Sequence, residues 1–222
     1  MNTTTWREIE RGTGAMRWEL SIVCATDRPG SFAAPAGNDV DRAARIVSEL
    51  AANGYQYAGE VSLWQALYPG DDALFVGAYP GGVLACHADL AGALINGNAW
   101  SRVNGSLRGD FRETLLALYP GGEVMAMALH CVAKLWGFST YRESRRIRTV
   151  AGSGEDGLFA DHGPPLDEEI PVLAHVTPAL LDRPAAGEAL VLAASARMFG
   201  DSIDRLAGTG PTLSHYRRRP AA

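Results

Sequence analysis

The stretch that decides the fold runs from residue 123 to residue 169 and reads EVMAMALHCVAKLWGFSTYRESRRIRTVAGSGEDGLFADHGPPLDEE. Two apolar runs come first, at 124–132 and 135–141, and another strand-like run follows at 146–150. The runs contain many aromatic and β-branched residues, which suit a pleated, half-buried surface. The pattern predicts a meander of antiparallel strands in the middle of the fold.

Turn residues indicate where these strands end. Arg142-Glu143-Ser144-Arg145 is a polar break between two strand-like runs, which predicts a hairpin tip. Asp156-Gly157 is a second turn signal, because glycine adopts positive φ at no steric cost.

The first run fits a strand or a helix. Val124, Met127, Ala128, Cys131 and Leu135 have helical spacing, and Met and Ala favour helix. However, apolar residues fill both faces of the run, as in a central strand that is covered on both sides. We therefore predict a strand from Val124 to Cys131.

The flanking segments supply further strands and helices. Periodicity and capping residues predict strands at 18–25, 74–79 and 83–88, and helices at 40–51 and 186–206, the last with a kink or boundary at Gly200. Pro171 and Pro178 predict an extended or looped segment at 170–178.

Length and composition indicate an ordinary globular chain. It has 222 residues, 47% of them apolar and 20% charged. We predict one α+β domain over residues 16–210, with a largely antiparallel sheet and packed helices. Residues 1–15 are expected to be a flexible arm and residues 211–222 a basic flexible tail.

Charge, hydropathy and cysteine usage indicate which partners and which cellular location to expect. A net charge of −5 makes nucleic acid an improbable partner, and the absence of an apolar run of about 18 residues predicts no membrane span. The N-terminus lacks the basic start and apolar core of a signal peptide. Cys24, Cys86 and Cys131 lie in apolar runs and are expected to be reduced core thiols of a cytoplasmic protein.

The common catalytic and cofactor motifs are missing from the sequence. It has no phosphate-binding loop, no Cys-x-x-Cys pair, no helix-borne zinc motif and no nucleophile elbow. We therefore predict no cofactor, no metal site and no catalytic residue, and no feature of the sequence indicates an oligomeric state.

A string of short motifs resembles an uncharacterised bacterial domain family that is common in high-GC bacteria. The motifs are Leu63-Trp64-Gln65-Ala66-Leu67-Tyr68-Pro69, Leu84-Ala85-Cys86-His87-Ala88-Asp89, His130-Cys131-Val132, Arg145-Arg146-Ile147-Arg148-Thr149, and the segment 157–169. The resemblance covers residues 60 to 175. A charged hairpin strand followed by a short strand and an acidic end is also similar to some bacterial immunity proteins. The resemblance implies a fold and leaves the activity open.

The densest basic cluster gives the first candidate site: Arg142, Arg145, Arg146 and Arg148. Residues two apart on a strand share a face, so Arg146 and Arg148 are expected to point the same way. Arg is favoured at interfaces because its planar fork matches carboxylates. Together with the missing catalytic motifs, this pattern favours a non-enzymatic binding protein with an acidic partner protein. The resemblance to immunity proteins implies an immunity-type protein that neutralises a toxin-like partner. The alternative for the cluster is an edge strand that is protected by its charges.

The second candidate is a pocket near His130, Trp136 and His162, which suits an enzyme or a small-molecule-binding protein. In this alternative, His130 would form an acid/base pair with a carboxylate from the acidic end of the meander. The carboxylates available there are Asp161, Asp167, Glu168 and Glu169.

Overall fold

The computed structural model describes residues 16, 18–34, 37–51, 54–96, 107–206 and 210–218. The arm predicted over residues 1–15 lies outside the described residues, as do the last four residues of the predicted tail.

A single antiparallel sheet organises the described chain. Its strands are β1 (Leu20–Thr26), β2 (Tyr55–Ser62), β3 (Ala73–Tyr79), β4 (Gly82–Cys86), β5 (Glu123–His130), β6 (Leu135–Arg142), β7 (Arg145–Ser153), β8 (Gly157–His162) and β9 (Thr212–Arg218). They lie in the order β2-β9-β3-β4-β1-β5-β6-β7-β8. This confirms an antiparallel sheet in a fold that is roughly α+β, although the sheet dominates it.

Helices cover both faces of the sheet. They are α1 (Val40–Leu50), α2 (Leu63–Ala66), α3 (Leu90–Asn96), α4 (Phe111–Ala117), α5 (Ile170–Leu173), α6 (Pro178–Leu181) and α7 (Pro184–Phe199). The core on one side, here the α7 face, contains buried residues of α2, α5 and α7. The core on the other side, the α3 face, contains buried residues of α1, α3 and α4. No helix among the described residues is long and apolar enough to cross a membrane.

The predicted meander is confirmed. Strands β5, β6, β7 and β8 are consecutive neighbours, each antiparallel to the next. Glu143 and Ser144 form the tip of the β6–β7 hairpin with φ of 50° and 59°, as a tight two-residue turn between twisted strands requires. Gly157, with φ of 65°, follows the next turn.

The ambiguous first run is a strand because both of its faces are covered. Met125, Met127 and Leu129 lie in the core of the α7 face. Val124, Ala126 and Ala128 alternate with them and lie in the core of the α3 face. Burial on both sides removes the polar alternation that marks a half-exposed strand, so the run is continuously apolar.

The predicted tail contains a strand, which corrects the boundary at residue 211. Strand β9 lies inside the sheet, between β2 and β3, and Leu213 and Tyr216 are buried. The ring of His215 stacks on Phe75, with centroids 4.6 Å apart. The basic residues that suggested a frayed tail are Arg217 and Arg218, which are exposed at the end of this strand.

Other differences concern short elements. Residues 170–178 were expected to be extended or looped, but Ile170–Leu173 forms the short helix α5. Strand β2 gave no sequence signal, since it is an edge strand with mostly exposed side chains. The helical segment predicted over 186–206, with a kink or boundary at Gly200, has its boundary there: α7 ends at Phe199, and Gly200 takes the left-handed cap conformation with φ of 75°.

Helix α7 approaches the sheet through a glycine. A Cβ atom placed on Gly187 would lie 2.0 Å from Cδ2 of Trp136. The Trp136 side chain is fully buried beneath the helix. The position therefore needs the smallest residue, although glycine is a poor helix former.

We predict that Gly187→Ala lowers the free energy of unfolding by about 1–3 kcal/mol, because the added methyl group overpacks the contact with Trp136. Helix propensity alone would give the opposite sign, a gain of about 1 kcal/mol. Urea denaturation measures the difference. Gly121→Ala is the matched control, since its Cβ meets nothing within 4 Å. A stabilised Gly187→Ala protein would contradict the close packing of α7.

Candidate functional site

A cavity of about 360 Å³ opens on the α3 face where several strands end. Ser21 of β1, Ala128 and His130 of β5, and Gly92 of α3 contribute to its wall. The loop 68–71 lies opposite. The remaining lining residues are Glu19, Leu20, Ala88, Leu129 and Leu135. The wall is thus mainly apolar, with a few polar groups, as in many small-molecule sites.

His130 and Glu19 face each other at this cavity. Nε2 of His130 lies 3.8 Å from Oε1 of Glu19, and both side chains are about half exposed. The backbone N–H of Ala133 donates to Nδ1 of His130 at 3.1 Å. In the neutral imidazole, the proton is therefore on Nε2, on the side of Glu19. At 3.8 Å the two groups are not hydrogen-bonded to each other, and Sγ of Cys131 donates to Oε2 of Glu19 at 4.0 Å.

Tyr68 is the aromatic residue of the wall. Its ring lies 6.5 Å from that of Trp64, which packs edge-on against Trp18 at 4.8 Å. Trp64 and Tyr68 are 40% and 44% exposed, which is unusual for such large rings. Burial of the hydroxyl, and next the negative charge of Glu19, raise the pKa of Tyr68. The phenol therefore stays neutral at physiological pH.

The structure does not bring the three residues of the predicted pocket together. His130 lines the cavity. Trp136 is buried in the core of the α7 face, on the other side of the sheet, while its neighbour Leu135 reaches the cavity. His162 is exposed at the far end of edge strand β8, paired with Thr149.

The carboxylates expected beside His130 lie elsewhere. Asp161 and Glu169 bind Arg148, and Glu168 binds Arg197. Glu19, from the segment before β1, is the carboxylate that reaches His130. Among the described residues, no three His, Cys, Asp or Glu side chains come together where they could hold a metal ion.

Arg148, expected on the surface, is buried and 3% exposed. Its Nε and Nη2 donate to the carboxylate of Glu169, which is fully buried. Its Nη1 donates to Asp161 and to the carbonyl oxygen of Gly163 at 2.9 Å. Burial lowers the pKa of the guanidinium, but the hydrogen bonds to Glu169 and Asp161 more than offset it and the pKa is raised. Arg148 therefore stays charged and serves the fold.

A β-bulge separates Arg146 from Arg148. Tyr141 pairs with Arg146, but its neighbour Thr140 pairs with Arg148, so Ile147 is an extra residue on β7. Nε of Arg146 donates to the Tyr141 hydroxyl at 3.2 Å, on the α3 face. The expectation that Arg146 and Arg148 share a face is wrong, because the bulge shifts the alternation by one residue.

The other two arginines lie at the base of the hairpin tip. Nη2 of Arg142 donates to buried Glu123 at 3.2 Å, and Arg142 is half exposed. Glu123 also binds Arg197 of α7, which in turn lies 3.4 Å from Glu168. Arg145 pairs with Arg142 across the hairpin and is exposed. The predicted basic surface is thus divided between internal ion pairs and an exposed tip.

His87 precedes the lining residue Ala88 in the chain and is 1% exposed. The hydroxyl of Ser21, a lining residue, donates to the carbonyl oxygen of His87 at 2.7 Å. The backbone N–H of Asp89 donates to Nδ1 at 3.1 Å, and the Tyr55 hydroxyl lies 3.2 Å from Nε2. Nδ1 is therefore unprotonated. Burial lowers the pKa of His87 to about 4, with Asp71 raising it slightly and Arg218 lowering it.

Sequence reasoning missed Glu19, Tyr68 and Asp71. Glu19 is far in the chain from the loop that carries Tyr68 and Asp71, and only the sheet order brings the two segments together. The signal that was available is the Tyr68-Pro69-Gly70 turn, which stops a short helix and projects side chains at the end of the sheet.

These features define a sheet protein with helices on both faces and a cavity at one end of its central strands. The chain belongs to a family of unknown function, DUF6928, whose model matches residues 18–210. The match confirms an uncharacterised domain and extends beyond residues 60 to 175, where the motifs lie. Comparisons with curated proteins and with solved structures find no match.

We predict that Arg148→Met lowers the free energy of unfolding by about 3–5 kcal/mol, because it leaves the buried Glu169 carboxylate without its counter-ion. Combining it with Glu169→Leu should cost less than the sum of the two single changes, since the pair is then removed together. Urea denaturation of the four proteins measures the coupling. Arg145→Met, at the exposed tip, should change stability by less than about 0.5 kcal/mol. Additive losses would contradict the buried pair.

We predict that His87 makes stability fall as the pH falls from 6.5 toward 4. Its pKa is about 4 in the fold and 6.5 when unperturbed, so the unfolded chain binds the extra proton in this window. Proton binding to His87 in the unfolded chain should lower the free energy of unfolding by roughly 2 kcal/mol between pH 8 and pH 5. Denaturation curves of the wild type and of His87→Gln measure it, and the variant should lose that part of the slope. An NMR titration that finds the His87 ring protonated at pH 5.5 would contradict the prediction.

Proposed function

We propose that this chain is a non-enzymatic binding protein that takes a small molecule in the cavity beside His130. The observation that carries the proposal is the cavity itself, about 360 Å³ in volume, with apolar walls and a few polar groups. Sites of this size and composition hold small ligands, with polar groups fixing the orientation of the ligand and apolar walls supplying most of the contact area.

Geometry favours binding over catalysis. His130 and Glu19 are not hydrogen-bonded to each other, since Nε2 lies 3.8 Å from Oε1 and an N–H···O hydrogen bond spans about 2.7–3.2 Å. In the described chain, no ion-pair partner orients His130 other than Glu19, which is itself half exposed. The acid/base alternative therefore has weaker support than a binding role.

A toxin-like or acidic partner protein stays a prediction. Arg148 has no free donor face, and Arg142 and Arg146 are engaged by Glu123 and Tyr141. Arg145 at the hairpin tip is exposed and could add to such a contact. A cytoplasmic location also stays a prediction, which the free thiols of Cys24, Cys86 and Cys131 support.

A larger side chain in the wall of the cavity tests the proposal. Ala128 lines the cavity between Ser21 and Gly137 on the neighbouring strands. We predict that Ala128→Leu fills the cavity and lowers the free energy of unfolding by less than about 1 kcal/mol. Ala126→Leu is the matched control on the same face of the same strand. Ala126 is fully buried in the core, so that change should cost about 1–3 kcal/mol.

Binding is measured by ligand-observed NMR with a panel of neutral, cationic and anionic aromatic fragments. Fragments that bind the wild type should lose binding in Ala128→Leu while that variant keeps its melting temperature. A panel in which no fragment binds the wild type, or in which every fragment binds Ala128→Leu equally well, would contradict a ligand site in this cavity.

A further inference from the structure

Where the described lining residues of the cavity are acidic or basic by type (Asp, Glu, Lys or Arg), they are all carboxylates. Glu19 and Asp71 are carboxylates, and Asp71 is exposed at the mouth. Among the described lining residues, none is Lys or Arg. Burial, and next the charge of Asp71, raise the pKa of nearby Asp89, as expected where carboxylates repel one another. The mouth of the cavity is therefore a region of negative potential.

An aromatic face lies beside these carboxylates. Tyr68 lines the cavity, and Trp64 and Trp18 pack edge-on behind it in a row. Aromatic rings attract cations through the negative potential of their faces, an interaction that is worth about 0.5–2 kcal/mol. The raised pKa of Tyr68 keeps its ring neutral beside Glu19. The carboxylates and the aromatic ring thus both favour a positively charged ligand.

The rest of the wall is apolar. Leu135 and Ala128 form an apolar surface that a hydrated inorganic ion would not need. No metal-binding group of three side chains occurs among the described residues. An organic cation matches both parts of the cavity, since its charged head suits the carboxylates and its hydrocarbon body suits the apolar wall.

We propose that the ligand of the His130 cavity is a small organic cation, an amine or a quaternary ammonium compound. Its charged head lies between Glu19, Asp71 and the face of Tyr68, and its apolar part lies against Leu135 and Ala128. This inference rests on the proposed function, because it names the chemical class of ligand for the same cavity.

Three probes of similar shape and different charge test the inference: 2-phenylethylammonium, 2-phenylethanol and phenylacetate. Dissociation constants are measured by NMR titration at pH 8, where imidazoles are ordinarily neutral. The ammonium probe should bind at least about tenfold more tightly than the alcohol, and phenylacetate should bind most weakly. Ala128→Leu should abolish binding of the ammonium probe.

Variants test which side chains cause the preference for a positively charged probe. Glu19→Gln and Asp71→Asn should each weaken the ammonium probe several-fold and leave the alcohol unchanged. Tyr68→Phe keeps the aromatic face and should keep the affinity, whereas Tyr68→Leu should lower it. Glu155→Gln is the control, since Glu155 is an exposed carboxylate in the β7–β8 turn.

The outcomes separate the two proposals. If the alcohol or phenylacetate binds as tightly as the ammonium probe, and Ala128→Leu still abolishes binding, the cavity is a ligand site but the cation inference is overturned. If none of the three probes binds the wild type, both proposals are contradicted. Equal weakening of the ammonium probe in Glu155→Gln and Glu19→Gln would also overturn the inference, since the attraction would then come from net charge alone.

Discussion

The burial of the Arg148 guanidinium is the constraint on which the α7 side of the structure depends. A buried charge without partners costs several kcal/mol, so its donors must be satisfied by groups from three places. These are Asp161 on the edge strand, the carbonyl oxygen of Gly163 at the turn, and Glu169 just before α5. The strand, the turn and the start of the helical segment are thereby fixed with respect to one another.

A second set of ion pairs begins at the residue before Glu169. Glu168, next to Glu169, contacts Arg197 of α7, and Arg197 binds Glu123 at the start of β5. The adjacent carboxylates therefore link the edge of the sheet to the helix that covers its centre. Apolar packing supplies most of the stability of such a layer, but it is non-directional. The ion pairs select one position of α7 over the sheet.

The central meander was predictable because local signals agreed. Turn residues at 143–144 and 156–157, and apolar runs of strand length between them, fixed strands β5 to β8. The sequence could not locate β2 and β9, since an edge strand shows no buried face and the basic end of β9 hid its alternation. The alternation of side chains along a strand could not predict the β-bulge at Ile147, which places Arg146 and Arg148 on opposite faces of the sheet.

The sequence predicted one residue of the candidate site, His130. His130 stands at the end of a strand, where a polar residue after an apolar run marks the rim of the sheet. Its partners Glu19, Tyr68 and Asp71 depend on the order of β1, β3 and β5 in the sheet, which is a property of the whole chain. The burial of Arg148 was unpredictable for a related reason, because arginine in a sequence indicates exposure unless its counter-ions can be identified.

The place of β9 has a consequence for biosynthesis. Among the described strands, β2 pairs with β9 alone, and β9 also pairs with the outer edge of β3. As the ribosome releases the chain from its N-terminus, β2 and the edge of β3 have no partner until residues 212–218 emerge. Contacts between distant segments form slowly, and open strand edges invite pairing with other chains. The growing polypeptide therefore exposes an edge that can pair with other chains until β9 has been made.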